Sequence, residues 1–212
     1  EKIGSFQVYV PHDGVAEDFA PSTFDVARLQ AIAALDVRCL NSDRNAANLL
    51  VPSNKKKDIR LVPIDHGFCL PEVLSIEWFD WCWIDWKAVS EPVDPRVKAS
   101  ILSLDAEKDA TALRDALGLR PKSLRLLIAA TKLLQKGVRA GLTIRDVAEL
   151  VVKPDDSSSA PGGKAAATKG RLAVCVTRAN DLADLAVKEG RSRGARPRFV
   201  GRVVSPPASP GK

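Results

Sequence analysis

Two short apolar stretches with polar residues at their ends constrain the folding of this chain more than any other feature. Residues 49–51 and residues 60–64 are separated by the polar segment 53–58, and an aspartate, Asp65, follows the second stretch directly. Apolar runs joined by a polar turn are typical of a β-hairpin. The sequence therefore predicts a hairpin with Asn48 and Asp65 at the same end.

The polar residues around this hairpin have the order and spacing of a phosphoryl-transfer site. Asp43 precedes Asn48 by five positions, and Asp65 stands just past the second strand. Kinases use one Asp to orient the attacking hydroxyl, and they use an Asn and a second Asp to hold magnesium on the nucleotide phosphates. An Asp and an Asn at this spacing are common by chance, and the flanking strands make the pattern more specific.

These residues belong to a longer series of segments: 2–7 (KIGSFQ), 35–38 (LDVR), 43–51 (DRNAANLLV), 63–72 (PIDHGFCLPE) and 133–138 (LLQKGV). In this order, over about residues 1–150, they resemble the phosphatidylinositol 3-/4-kinase superfamily. Within it they are most similar to the plant-type phosphatidylinositol 4-kinase gamma branch of the type II enzymes.

The resemblance implies a mainly α fold with a small β-hairpin (α+β), the C-terminal lobe of a lipid-kinase fold, over residues 1–152. It also implies an ATP-dependent kinase with ATP and Mg²⁺ as cofactors. Asp43 would align the substrate hydroxyl, and Asn48 and Asp65 would hold Mg²⁺ on the nucleotide. Arg44 belongs to the catalytic motif, where it would either contact phosphate or brace the loop through an ion pair.

Two neighbours of these residues qualify the resemblance. Asn45 stands where many lipid kinases have His, and an amide cannot transfer a proton. His66 belongs to the motif around Asp65, and we expect a structural role for it.

Upstream of Asp43 the sequence has no Gly-rich loop, and its sole early lysine is Lys2. The resemblance implies that the nucleotide-clamping small lobe precedes Glu1.

Periodicity and capping residues predict the remaining elements. A loose alternation suggests a strand over residues 3–10, and His12-Asp13-Gly14 is typical of a turn. Apolar residues at helical spacing, together with Asp, Pro and Gly at the ends, predict helices. These helices cover approximately residues 26–37, 95–102, 105–117, 121–137 and 143–151.

The C-terminal part of the chain differs in composition. Residues 153–170 predict a flexible linker, 171–189 a helix, and 190–212 a disordered basic tail. The net charge of the whole chain is +6, but residues 153–212 hold 12 basic and 5 acidic residues, so the preceding part is almost neutral. A nucleic-acid-binding core is therefore not indicated.

Other side chains allow more than one interpretation. The four cysteines have neither zinc-site nor disulfide-framework spacing, and reduced thiols in a cytosolic protein fit them better. Four tryptophans, Trp78, Trp81, Trp83 and Trp86, would form either an aromatic core or a membrane-facing belt, with the core favoured. The run Lys55-Lys56-Lys57 favours a solvated loop over a contact with anionic lipid.

The resemblance implies a substrate but leaves alternatives open. The expected partners are ATP and membrane phosphatidylinositol, bound by a cytoplasmic protein that contacts the membrane peripherally, with no specific nucleic acid. No residue in the sequence selects lipid over protein, so a Ser/Thr protein kinase with the same fold remains an alternative. A non-catalytic remnant or scaffold is a second alternative.

Overall fold

Helices make up most of the part of the chain that the computed structural model describes, which is residues 8–53, 59–73 and 79–152. The five α-helices are α1 (Val26–Cys39), α2 (Pro95–Leu102), α3 (Ala106–Leu117), α4 (Pro121–Arg139) and α5 (Ile144–Val152). They are accompanied by two small sheets. The predicted mainly α fold with a small β component is confirmed.

Helix ends coincide with local capping groups. The Asp25 side chain accepts a hydrogen bond from the Arg28 N–H at 2.6 Å, and Asp94 and Asp105 accept equivalent bonds at the starts of α2 and α3. Such caps satisfy backbone donors that lack a partner in the first helical turn. Gly118, with a φ of 63°, ends α3 in the left-handed conformation that glycine tolerates best. The five helices predicted within residues 26–151 are confirmed.

Helix α4 lies at the centre of the helical layer and packs against the other four helices. Its buried face carries Leu127, Leu134 and Val138. At Gly137 the helix approaches α5 so closely that a Cβ atom would lie 2.5 Å from Val147 Cγ2. Glycine is needed at this position because the two helices leave no room for a side chain.

A three-stranded antiparallel sheet has the order β1 (His12–Val15), β3 (Leu49–Pro52) and β4 (Val62–Pro63). The predicted hairpin is confirmed, with Leu49 opposite Pro63. The predicted turn at residues 12–14 is wrong, because this segment forms β1 with a bulge between His12 and Gly14. A bulge accommodates turn-like residues within a strand. Of the predicted strand 3–10, residues 8–10 are not a strand and 3–7 lie outside the described residues.

A second, parallel pair of strands joins β2 (Asp43–Arg44) to β5 (Asp80–Trp81). Trp81 and Trp83 are buried, and their rings stack with centroids 5.0 Å apart. This confirms the predicted core position for these two indoles. Trp86 is half-buried and packs against Phe24, whereas Trp78 lies outside the described residues.

The predicted linker 153–170, helix 171–189 and basic tail 190–212 also lie outside the described residues, as does the run of three lysines at 55–57. Of the helices that the structure describes, none has both the length and the apolar character needed to cross a membrane.

Candidate active site

The end of helix α1 directs the chain into the loop that carries Asp43. Leu40, buried and with a φ of 51°, reverses the chain in the left-handed conformation. Asn41 follows, and its side-chain Nδ2 donates to Asp36 Oδ1 at 3.1 Å while its Oδ1 accepts from the Asp43 N–H at 3.2 Å. The start of the loop is therefore tied back to the last turns of the helix.

Asp43 is half-buried and is linked to two amide side chains further along the loop. Asn45 Nδ2 donates to Asp43 Oδ1 at 2.9 Å, and Asn45 Oδ1 caps the short 3₁₀ helix Ala46–Asn48 by accepting from the Asn48 N–H. Asn48 Nδ2 in turn donates to the Asp43 carbonyl at 3.1 Å. The side-chain amide N–H of Asn48 is therefore used in a hydrogen bond within the loop. Its Oδ1 accepts no hydrogen bond within the described residues.

Arg44 is fully buried, with an exposed fraction of 0%. Its Nε contacts both carboxylate oxygens of Asp36, at 3.1 and 3.0 Å. Its Nη1 donates to the Asn48 carbonyl at 3.0 Å and to the Ile64 carbonyl at 2.6 Å. A guanidinium enclosed in this way fits the bracing alternative, because it presents no surface to a phosphate group.

Asp36 is the acceptor at the centre of this cluster, and the sequence analysis did not identify it as a site residue. Besides Arg44 and Asn41, the indole Nε1 of Trp83 donates to Asp36 Oδ2 at 3.0 Å. Burial raises the pKa of the Asp36 carboxyl, and the Arg44 charge and these hydrogen bonds oppose that rise. Its position among the apolar residues of α1, at i+4 from Ile32, was a sequence signal for a buried charge.

Asp65 lies at the end of the hairpin that also carries Asn48. The Ile64 N–H donates to the Asn48 carbonyl at 3.0 Å, which continues the pairing of Leu49 with Pro63. Asp65 itself is exposed and has a φ of 47°, and its Oδ1 accepts from the Gly67 N–H at 3.1 Å. Aspartate tolerates this conformation better than most residues because its side chain forms such local bonds.

Comparison with known proteins identifies the family. Residues 1–144 match the family model described as phosphatidylinositol 3- and 4-kinase. The chain belongs to the phosphatidylinositol 3- and 4-kinase family. All four predicted site residues of this family member, Asp43, Arg44, Asn48 and Asp65, lie within the matched range.

Plant proteins are among the relatives of this family member. It is 40% identical over 153 residues to phosphatidylinositol 4-kinase gamma 4 of Oryza sativa subsp. japonica, covering 72% of this chain and 27% of the relative. It is 40% identical over 162 residues to phosphatidylinositol 4-kinase gamma 6 of Arabidopsis thaliana, covering 72% and 25%. The chain thus spans about a quarter of the length of the curated relatives it matches.

The side chains at the hairpin end fit the magnesium ion that the family implies. Asn48 Oδ1 and the Asp65 carboxylate would supply oxygen ligands, the kind that Mg²⁺ prefers. Among the described residues, no three His, Cys, Asp or Glu side chains come together as a metal cluster. Mg²⁺ in kinase sites is usually held by one or two protein ligands, nucleotide phosphates and water, so a pair of ligands is a suitable donor set.

Proposed function

We propose that this chain supplies the catalytic loop and the metal-binding residues of an ATP-dependent phosphatidylinositol 4-kinase. The reaction transfers the γ-phosphoryl group of ATP to a hydroxyl of the inositol ring. One observation carries the proposal: Arg44 Nη1 donates to the carbonyls of both Asn48 and Ile64. A single buried side chain thereby joins the loop of Asp43 to the strand end that precedes Asp65.

In this proposal Asp43 orients the attacking hydroxyl and accepts its proton as the phosphoryl group is transferred. The hydrogen bond from Asn45 Nδ2 holds one carboxylate oxygen and leaves the other for the substrate. Asn45 positions Asp43 but has no proton-accepting nitrogen with which to replace it. Arg44 acts as a positioning residue, because its guanidinium is enclosed by Asp36 and by backbone carbonyls.

Asn48 and Asp65 would hold Mg²⁺ together with the nucleotide phosphates. When bound, the cation offsets the negative charge of the phosphates and of the group being transferred. The exposure of Asp65 suits this role, since it leaves the carboxylate open to a nucleotide. We also assign residues 1–152 to the catalytic lobe, place the protein in the cytoplasm, and infer peripheral contact with the membrane that contains the lipid.

Calorimetric titration of the 212-residue chain with Mg-ATP tests the metal assignment. We expect binding by the unsubstituted chain and a loss of at least about tenfold in affinity for Asp65→Asn, which removes one anionic ligand. Asp13→Asn is the matched control, because Asp13 is an exposed aspartate on β1 and takes no part in the proposed site. Equal affinities for the unsubstituted chain and Asp65→Asn would contradict the assignment.

The substrate is tested separately by the transfer of radiolabelled phosphate from ATP. Vesicles that contain phosphatidylinositol and a peptide with Ser and Thr are compared as acceptors under the same conditions. We expect label in the lipid fraction only, and we expect Asp43→Asn to abolish it. Label in the peptide alone would favour the protein-kinase alternative.

A further inference from the structure

Two cysteines flank the candidate active site. Cys39 is the last residue of α1 and stands four positions before Asp43, and Cys69 stands four positions after Asp65. The Leu70 N–H donates to the Cys39 carbonyl at 2.8 Å, and the Ser42 N–H donates to the Phe68 carbonyl at 3.3 Å. These bonds hold the two stretches side by side, with the Cys39 and Cys69 thiols within hydrogen-bonding reach of each other.

We propose that Cys39 and Cys69 form an oxidation site, at which a peroxide converts the two thiols into a disulfide that ties the end of α1 to the segment after Asp65. Both thiols are free and only half-buried in the structure, so a small oxidant can reach them. In the cytosol such disulfides are usually transient and redox-sensing. The reduced pair is therefore the resting state and the disulfide is a reversible modification.

The reaction proceeds in two steps. The Cys39 thiolate attacks one peroxide oxygen and the O–O bond breaks, which gives a sulfenic acid on Cys39 and a hydroxide ion. The hydroxide takes up the proton that Cys39 released on ionisation and becomes one molecule of water. The Cys69 thiol then attacks the sulfenic sulfur, the S–S bond forms, and the hydroxyl group leaves as a second water. Overall the two thiols lose two electrons and two protons, and hydrogen peroxide is reduced to two molecules of water.

The surroundings of the pair assign these roles. The hydrogen bond with Cys69 lowers the pKa of Cys39, and the charge of Arg38 acts in the same direction, whereas burial opposes both. The same hydrogen bond and burial raise the pKa of Cys69. The thiol with the lower pKa forms the thiolate more readily, so Cys39 attacks the peroxide and Cys69 resolves the intermediate.

Backbone geometry favours closure of the bond. A disulfide requires its two Cα atoms to lie about 4.4–6.8 Å apart, so the backbones on both sides must be close before oxidation. The 2.8 Å hydrogen bond from Leu70 to the Cys39 carbonyl already brings the neighbouring backbone into contact.

The new ring includes Asp43, Asn48 and Asp65, so the exposed metal-binding segment becomes covalently fixed to the loop. An effect on kinase activity rests on the proposed function, but formation of the disulfide does not.

The experiment treats the 212-residue chain with limiting hydrogen peroxide, alkylates the remaining thiols, and identifies linked peptides by mass spectrometry. We expect a Cys39–Cys69 peptide as the main product, reversed by dithiothreitol. The oxidised chain should melt about 5–10 °C higher, because the cross-link restricts the unfolded state. Cys82→Ser is the control, since burial raises the pKa of the half-buried Cys82 thiol to about 12, and it should keep the linked peptide.

Cys39→Ser and Cys69→Ser should each lose both the linked peptide and the rise in melting temperature. Far-UV circular dichroism checks that each variant folds, and either variant suffices if the other does not fold. Two outcomes would overturn the proposal. The first is oxidation of Cys39 and Cys69 to separate, unlinked products. The second is a peptide mixture in which Cys82 or Cys175 takes the place of either partner. Neither readout depends on ATP or lipid, so the result stands apart from the test of the kinase assignment.

Discussion

The two halves of the candidate active site are held in different ways. The half that contains Arg44 is buried, and four side-chain hydrogen bonds from three residues converge on Asp36. The half that contains Asp65 is exposed from Asp65 to Phe68, and a local hydrogen bond to Gly67 and backbone bonds hold it. The fold therefore holds the proposed catalytic loop in place in advance, and it leaves the proposed metal-binding segment exposed to solvent.

Because of this difference, the two halves of the candidate site should contribute to two different quantities, the free energy of unfolding and the affinity for a ligand. A charge enclosed in the protein interior must keep its partner, because an unpaired buried charge is strongly unfavourable. An exposed carboxylate is solvated by water and costs little to keep or to replace. Substitutions in the buried half should therefore affect mainly the free energy of unfolding, and substitutions in the exposed half should affect mainly ligand affinity.

The largest expected effect is that of Arg44→Ala. The substitution leaves Asp36 buried without its cation, and we expect the free energy of unfolding to fall by about 3–5 kcal/mol in urea denaturation. Arg114→Ala is the control, because Arg114 is 58% exposed in its pair with Asp115 and its removal should leave the free energy of unfolding almost unchanged. Similar losses for the two variants would remove the distinction between the two halves.

The pH dependence of Arg44→Ala sharpens this test. Burial already raises the pKa of Asp36, and removal of Arg44 deletes the largest influence that lowers it. A carboxyl whose pKa is higher in the folded than in the unfolded protein favours folding when protonated, and this contribution is lost as the pH rises through the folded-state pKa. The stability gap between Arg44→Ala and the unsubstituted chain should therefore narrow as the pH falls towards the ordinary range of aspartate.

A smaller loss is expected for Trp83→Phe. The ring remains in its buried position, but the hydrogen bond from Nε1 to Asp36 Oδ2 disappears. A hydrogen bond to a charged group contributes about 1.5–3 kcal/mol, and we expect a loss of that size by urea denaturation. Trp86→Phe provides the comparison at a half-buried indole that packs on Phe24. If Trp86→Phe lowered the free energy of unfolding as much as Trp83→Phe, the hydrogen bond to Asp36 would not account for the loss in Trp83→Phe.

The smallest expected effect lies in the exposed half. Asp65 has a φ of 47°, a region in which glycine is unstrained and alanine costs about 1 kcal/mol. Asp65→Gly should therefore be more stable than Asp65→Ala by about 1 kcal/mol in thermal or urea unfolding, while both should lose Mg-ATP affinity. An alanine variant as stable as the glycine variant would mean that the segment relaxes out of this conformation.

The sequence was a good guide to the helices because their boundaries are determined locally. Each capping residue acts on the helical turn next to it, so the sequence signals for a helix end lie within a few residues of that end. Examples are Asp94 with Pro95, Asp105 and Gly118. The strand pair β2–β5 could not be predicted in this way, because two residues pair with two others 37 positions away. The turn predicted at His12 was wrong because residues typical of turns lie in a bulged strand.

The sequence predicted the residues of the candidate site and their order along the chain. It did not predict the buried residues that hold them in place. The two apolar stretches predicted a hairpin with Asn48 and Asp65 at the same end, and the structure places both residues there. The burial of Arg44 depends on Asp36 and Trp83, which come from α1 and from the segment after β5. Contacts between such distant segments depend on the packing of the whole domain, and a linear motif carries no information about them.

The stacked indoles of Trp81 and Trp83 give this protein an intrinsic optical reporter. Their centroids are 5.0 Å apart and their planes differ by 18°, a separation at which the electronic transitions of the two rings couple. Trp81 donates its indole N–H to the Asn41 carbonyl, and Trp83 donates its indole N–H to Asp36. Both chromophores are therefore hydrogen-bonded to residues that hold the loop of Asp43 in place. Near-ultraviolet circular dichroism and tryptophan emission can therefore follow the state of the proposed catalytic loop in solution without any label.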